Sequence, residues 1–550
     1  MIKHPPLLRR LSFTTAGIVL MPLLVLILSW HDFQTDIWLH LIETQLGRLL
    51  ANTLVLLVGV GFGVMIIGVS LAWLTTMCEF PGRKFFDWAL MLPFAIPAYV
   101  LAFVYLGFFE FSGPLQTVIR EWFGTSRFFP SIRSTGGVIL VLVLVFYPYV
   151  YMLARSAFIT QGRGAMDAAR ILGLTPLQAF WRVALPIARP GIAAGVGLAL
   201  METLADFGAV ATFNYDTFTT AIYKAWYGFF NLHAAAQLAT LLMLFVCMAF
   251  WLEQRGRGNA QYALRQRSKQ HKPYKLNGIQ RYVAFAYAAS VLGLAFILPV
   301  VQLLVWVVKQ GAQDIDGRFA GLVGHSLLLA SAAGLAVVCV ALLLSFAKRL
   351  YQDHWLKKAI MAANLGYALP GSVLAVGIMF AFSQVDNHLI VPLQEWLGVA
   401  PRQLLLGSFL ALLLAYIIRF IAVAFGPIDA GLQSIRVSLH EAARSLGVSG
   451  LAVVRRVYIP MLAPGLLTAG ILVFVDVMKE MPATLLMRPF GWDTLAVRIY
   501  EMTSEGEWQR AALPALTLVL AGLIPVFILM RKSRYRNESR PISKINEKNT

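Results

Sequence analysis

The sequence predicts an all-α polytopic membrane protein with about twelve transmembrane helices, arranged as two tandem, parallel six-helix halves. Three observations predict it. Of 550 residues, 59% are hydrophobic and only 13% charged, with a mean hydropathy of +0.70, whereas soluble domains carry about 25% charged residues. Apolar runs of about 20 residues, enough to cross ~30 Å of hydrocarbon, recur along the whole chain. A motif following the fourth run returns after the tenth. This composition excludes a water-soluble enzyme, a disordered chain and a secreted disulfide scaffold. Cys78, Cys247 and Cys339 are too widely separated for a disulfide framework or a zinc motif.

In chain order the apolar runs are 12–30, 50–76, 85–109, 136–154, 190–213 and 236–252, then 282–308, 323–346, 358–382, 404–425, 464–487 and 511–530. The first follows Arg9 and Arg10 and has no small-residue cleavage site, so a retained helix is expected rather than a signal peptide. Pro93, Pro97 and Pro370 fall within runs and predict breaks or kinks at membrane depth. Residues 253–281, rich in Lys and Arg, read as a cytoplasmic linker joining a first half, 1–252, to a second, 282–550. With a cytoplasmic N-terminus, the N-terminal tail, 77–84, 155–189, 253–281, 347–358, 419–463 and 531–550 hold 34 of the 46 basic residues. Basic flanks set orientation, so both termini are expected in the cytoplasm. The formal net charge of +19 is then topology, dispersed among membrane flanks, and no nucleic-acid partner is expected. Trp226, Tyr227, Phe229 and Phe230 fall on the outer side, where an interfacial aromatic belt is the simplest reading.

The repeat is specific. Asp167-Ala168-Ala169-Arg170-Ile171-Leu172-Gly173 returns 274 residues later as Glu441-Ala442-Ala443-Arg444-Ser445-Leu446-Gly447. The same offset carries Val183-Ala184-Leu185-Pro186 onto Val457-Tyr458-Ile459-Pro460. An even number of spans per repeat gives both halves one orientation, about an axis along the membrane normal. Each copy reads as a helical hairpin. Gly173 stops one helix, Thr175 caps the next with Pro176 at its first position and Gln178 at its third. In the second copy Ser438 and Glu441 form a capping box and Gly447 is the stop. Pro186 and Pro460 are expected to end the second helix of each hairpin. The small side chains of Ala168, Ala169, Ala442 and Ala443 let a partner approach closely.

This doubled pattern of acid-Ala-Ala, three residues, Gly, nine residues, then a hydrophobic-x-hydrophobic-Pro resembles the EAA motif of the membrane permeases of ATP-binding-cassette importers. The resemblance implies the permease fold, with 164–186 and 438–460 as coupling helices. Asp167, Ala168, Ala169, Gly173, Pro186, Glu441, Ala442, Ala443, Gly447 and Pro460 would then dock on ATPase subunits. Asp167 departs from the family's glutamate, keeping the charge on a shorter arm. No Gly-x-x-x-x-Gly-Lys-Ser/Thr occurs in the chain, so ATP is expected to be used by a pair of separate cytoplasmic ATPases, with no cofactor bound here. No stretch of ~200 extramembranous residues exists to house a receptor domain, so a periplasmic or extracellular solute-binding protein is a further expected partner, and the bacterial inner membrane the location. Leu204 to Val210, Thr217 to Gly228 and Asp476 to Pro489 are similar to ferric iron permeases, which implies iron as cargo. Related fused permeases leave thiamine or phosphonate open.

The runs after each hairpin carry charge. Glu202 and Asp206, four residues apart, are expected on one helix face, and the 274 offset maps them onto Asp476 and Glu480. With Lys479, which can neutralise Asp476 or Glu480, that makes five ionisable groups at or near membrane depth. Facing lipid, at ~2.5–3.5 kcal/mol each, they would cost roughly 12–18 kcal/mol. They must face a wet cavity, one another or bonded partners, and are assigned here to the translocation pathway. Whether any of them ligates metal is left open, since transport needs weak contacts. An ion-coupled secondary transporter would use the same carboxylates but has no need of the paired hairpins. A membrane enzyme would show a catalytic cluster of His, Cys or Ser.

Overall fold

The computed structural model describes residues 6–127, 129–257, 274–310, 317–351, 353–364, 366, 369–435, 439, 445 and 451–538. Eleven helices among them are long and apolar enough to cross a membrane, and the apolar stretch Ala512–Phe527 is a shorter twelfth. These correspond in order to the twelve predicted runs. Four of the runs, however, are not continuous helices.

The first half comprises α1 (Pro6–Leu28), α2 (Thr35–Leu41), α3 (Gly47–Met77), α4 (Arg83–Ala89), α5 (Ala98–Phe109), α6 (Pro114–Phe123), α7 (Thr135–Ile171), α8 (Pro176–Ala179), α9 (Leu185–Ala205), α10 (Gly208–Thr212), α11 (Phe218–Tyr227) and α12 (Leu232–Arg257). The second comprises α13 (Ile279–Leu292), α14 (Leu298–Gln310), α15 (Gly317–Leu350), α16 (His354–Ala363), α17 (Gly371–Val385), α18 (Val391–Trp396), α19 (Phe409–Ser434), α20 (Leu451–Val453), α21 (Ile459–Lys479), α22 (Pro482–Met487), α23 (Leu495–Ser504) and α24 (Ala512–Glu538). The repeat is carried into the coordinates: α7 and α19, and α9 and α21, begin 274 residues apart, as do the π turns Phe180–Ala184 and Val454–Tyr458.

Proline explains two kinds of irregularity. At three positions the helix breaks: α4 gives way to the 3-10 turn Leu92–Ala95, extended Ile96, and α5 after Pro97, while Pro370 stands before α17; at Pro22, Pro148, Pro190, Pro427, Pro464 and Pro525 the helix runs on. Where it lies just inside a helix, the turn before it widens. Pro186, Pro299, Pro392 and Pro460 each stand two residues beyond a π turn. The ring lacks an N–H and crowds the carbonyl four residues back, which a wider turn relieves. Pro186 and Pro460 therefore do not end the hairpin's second helix, as expected from sequence; the helix runs on through the π turn into α9 and α21.

The two halves exchange their first helices. α1 packs on α16 and α17 of the second half, and α14 packs on α5 of the first. Arg9 ties α1 to Asp353 ahead of α16 at 2.5 Å. Within the linker, Tyr274–Lys275 pairs in parallel with Cys78–Glu79, fastening the entry to α13 against the loop after α3. Within each half small residues permit close crossings. A Cβ on Gly195 of α9 would lie 2.7 Å from the Val150 Cα of α7, and one on Gly68 of α3 would lie 2.7 Å from the Val150 Cβ. Gly195→Val is therefore expected to prise α7 from α9 at a cost of about 1–3 kcal/mol. Thermal unfolding of the detergent-purified chain measures it, and an unchanged Tm would mean the crossing is not tight.

Candidate functional site

The site assembles where helix breaks from both halves meet. α9 ends at Ala205, and Asp206, with extended backbone, leads into α10. Its Oδ1 accepts from the Val210 amide at 3.1 Å, while its carbonyl accepts from the Thr219 hydroxyl at 2.7 Å. α21 likewise ends at Lys479, and Glu480 leads into α22, with Oε1 accepting from the Ala483 amide at 3.1 Å. Both acids satisfy the open amides of the short helix that follows. The predicted runs 190–213 and 464–487 are thus broken, and Glu202 and Asp206 do not share one helix face. The second acid of each pair stands at the break itself. Gly208 and Pro482, two residues after each acid, were the available sequence signal.

The breaks in the first half leave carbonyls without helical partners, and three of them are met by side chains. Pro97 cannot donate to the Phe94 carbonyl; Lys479, from the other half, does so at 2.9 Å. Tyr147 donates to the Leu90 carbonyl and Tyr151 to the Asp87 carbonyl, each at 2.9 Å. Gly522 of α24 allows the lysine in, since a Cβ there would come within 2.9 Å of Lys479 Nζ. The ion pair of Glu480 is with Arg419, Nε to Oε2 at 3.1 Å; the glutamate is buried and the arginine largely so. Sequence reading had counted Arg419 within the cytoplasmic flank 419–463; it lies inside α19. Gly371 completes this contact: a Cβ there would fall 2.4 Å from Arg419 Nη1 and 2.5 Å from Glu480 Oε1.

The two halves differ here. The repeat equivalent of Arg419 is Val145, so Asp206 has no matching cation. Glu202 and Asp476 are half-buried, with the Tyr149 hydroxyl 3.5 Å from Glu202. Four carboxylates against Lys479 and Arg419 leave the cluster net acidic. Phe207 and Tyr500 meet across the halves at 5.4 Å, and the Tyr227 hydroxyl donates to the Leu485 carbonyl at 3.2 Å. Tyr227 thus makes an inter-half contact through its hydroxyl while, like Phe229 and Phe230, it stays exposed. Among the described residues no three His, Cys, Asp or Glu side chains are grouped to hold a metal ion.

The first hairpin has the expected local chemistry. α7 runs 37 residues through Asp167, Ala168 and Ala169 to Ile171, and Gly173 turns the chain at φ +75°. The Thr175 amide donates to Gln178 Oε1 and the Gln178 amide to Thr175 Oγ1, a reciprocal cap. Ala169 is buried within the chain's own core instead of facing a partner. The outward face is apolar: Ile171, Leu172, Leu177 and Trp181 are 86%, 79%, 68% and 60% exposed. These were not singled out from the sequence. Glu441, Ala442, Ala443 and Gly447 lie outside the described residues; Pro460 is in the first turn of α21.

Two separate stretches, residues 65–252 and 338–534, match the binding-protein-dependent transport system inner membrane component family. The chain belongs to that family. It is an integral inner-membrane permease subunit, and its two matches fall on the two repeats. The chain is 27% identical over 542 residues to the Fe(3+)-transport system permease protein FbpB 2 of Haemophilus influenzae, covering 96% of this chain and 99% of that one. Shorter similarities reach the molybdenum transport system permease protein ModB of Escherichia coli, 32% identical over 26% of this chain and 62% of that one. The sulfate transport system permease protein CysW of Escherichia coli is 35% identical over 27% of this chain and 49% of that one. A solved bacterial alginate ABC transporter, in complex with an alginate pentasaccharide-bound periplasmic protein, aligns at 15% identity and a TM-score of 0.38, covering 47% of this chain and 97% of that one.

Removing one member of a buried ion pair leaves the other uncompensated. Glu480→Gln, which keeps the acceptor for Ala483, is expected to destabilise the permease by about 3–5 kcal/mol. Arg419→Met combined with Glu480→Gln should recover most of this. A double-mutant cycle on thermal unfolding reads the coupling; additive losses would show that the two side chains are independent.

Proposed function

We propose that this permease moves ferric iron inward, delivered by an external solute-binding protein and driven by two cytoplasmic ABC ATPases. The carrying observation is the net-acidic cluster of Glu202, Asp206, Asp476 and Glu480 at the junction of the halves, on a chain similar along 96% of its length to a permease named for Fe(3+) transport. Oxygen-rich, negatively charged walls suit a hard cation. The same walls would repel the anion for which CysW is named. Lys479 acts as a strut on the Phe94 carbonyl, and transient contacts with Glu202 and Asp476 avoid trapping the ion.

The units in this reading are a first half, 1–252, the linker 253–281 and a second half, 282–550, with both termini in the cytoplasm. Each hairpin, 164–186 and 438–460, seats on one ATPase through Asp167 or Glu441 and its flanking motif. The exposed Ile171, Leu172, Leu177 and Trp181 support this, because such an apolar face at a membrane-flanking hairpin is stable when covered by protein. The ATPases use the ATP, and this chain binds no cofactor. Closure of the ATPase pair moves the hairpins and opens the pathway outward; hydrolysis returns it to face inward.

The test is uptake of radiolabelled ferric iron by cells expressing the full transporter. Glu441→Lys or Gly447→Pro should abolish uptake and co-purification of the ATPase while leaving membrane insertion intact. Glu202→Gln with Asp476→Asn should keep the ATPase bound yet slow uptake by about tenfold. ATPase retention in Glu441→Lys overturns the docking assignment; unaltered uptake in the carboxylate variant overturns the pathway assignment. Loss of uptake to an ionophore with ATP intact would point to ion coupling instead.

A further inference from the structure

A cavity of about 510 Å³ opens at the outer end of the seam where α14 of the second half packs on the first. We propose that it holds the headgroup of one zwitterionic phospholipid, a phosphoethanolamine, whose acyl chains lie along α14. Its walls are Trp306 and Trp508, both stacked with Phe103, at centroid distances of 6.1 and 6.4 Å. Gly107 forms part of the lining, and a Cβ there would lie 2.7 Å from the Trp306 ring.

The polar lining has both signs. Glu110 accepts from Arg133 through Oε1 at 2.7 Å, leaving Oε2 without a partner among the described residues. Lys309, exposed at the end of α14, makes no ion pair among the described residues. Gln302 is only 8% exposed and lines the cavity, yet no described residue hydrogen-bonds to its amide. The amide therefore opens into the cavity with its donor and acceptor free for a group held there. A primary ammonium donates to Glu110 and the Gln302 carbonyl; a phosphodiester accepts from Lys309 and the Gln302 NH₂.

Two features favour a lipid over a soluble solute. The cavity is bordered by exposed apolar residues, Leu304, Val305 and Val308 on the membrane-spanning α14 and Val118 and Trp122 on α6, at 39% to 79% exposure. The corresponding corner of the other half, where α1, α12 and α17 meet, is closed by the chain itself. There α2 inserts Trp38, whose indole N–H donates to Gln237, and Gln237 in turn donates to the Ser29 and Asp32 carbonyls. One corner is filled by its own tryptophan and amide; the other offers a tryptophan, an amide and space.

Native mass spectrometry of the full-length detergent-purified chain tests this with added dioleoyl phosphatidylethanolamine, dioleoyl phosphatidylglycerol or chain-free glycerophosphoethanolamine. One phosphatidylethanolamine should be retained about tenfold better than phosphatidylglycerol, and Gln302→Leu and Lys309→Ala should each lower retention by about five- to tenfold. Lys309 is exposed, so its variant remains informative even where Gln302→Leu does not fold. Equal retention of the two lipids, or retention by Lys309→Ala equal to the unmodified chain, overturns the proposal. Equal capture of glycerophosphoethanolamine overturns the lipid source. Unaltered lipid retention with weakened docking of a solute-binding protein in Lys309→Ala would assign the cavity to that protein instead.

Discussion

Hydrocarbon offers no hydrogen bonds, so every backbone polar group at membrane depth must find its partner within the chain. This constraint organises the centre of the permease. A helix broken inside a bilayer is tolerated only if the freed amides and carbonyls are met, and here they are met by the residues that sequence reading marked as functional. Asp206 and Glu480 serve amides; Lys479 and two tyrosines serve carbonyls. The charged cluster is therefore structural and chemical at once, because the breaks that need polar side chains are also what opens a polar seam between the halves.

The near-symmetry makes the deviations from it informative. Duplication supplies paired acids, Glu202 with Asp476 and Asp206 with Glu480, yet Arg419 and Lys479 belong to the second half alone. Arg419 balances Glu480 and needs Gly371 to fit; Ala98 holds the equivalent place in the first half, where Val145 makes no such demand. Fusion of the halves into one chain allows this, since each copy is free to diverge. A homodimer would carry two arginines or none. Pairing one acid with Arg419 leaves the cluster net acidic without the desolvation cost of four unbalanced carboxylates.

What could be read in advance depended on how local the cause was. Apolar runs and the 274-residue repeat are local or periodic, and they survive into the fold. Pro93, Pro97 and Pro370 mark breaks because proline lacks a donor, although Pro148 and Pro427 are carried inside continuous helices. The breaks at Asp206 and Glu480 were read through as continuous helix, since an acid signals an end only when the following short helix is foreseen. Arg419 was misplaced for a different reason: a basic residue near the close of an apolar run looks like a cytoplasmic flank until its partner on another helix is known. The apolar face of the first hairpin was equally hidden, because exposure of Leu177 and Trp181 is a property of packing. Four of the five π turns among the described residues had a visible cause in a following proline, the exception being Ile42–Leu46, but whether a helix stops or widens there depends on what lies on either side.

The hairpin and the acidic cluster are two ends of the same element. α9 enters the membrane directly from the hairpin through the π turn Phe180–Ala184 and ends 21 residues later beside Asp206, a rise of about 32 Å at 1.5 Å per residue. α7 leads into the hairpin from the other side and carries Tyr149, whose hydroxyl approaches Glu202. Gly195 and Gly191 hold these two helices in close register, with Cβ positions 2.7 Å from the Val150 Cα and 3.1 Å from the Leu153 carbonyl. Close-packed helices do not slide past one another smoothly. Under the proposed docking, a displacement imposed at the first hairpin would reach the break at Asp206 as a rigid movement of the α7–α9 pair. The widened turn before Pro186 sits between the first hairpin and α9, so in that reading it is the compliant point of the pair.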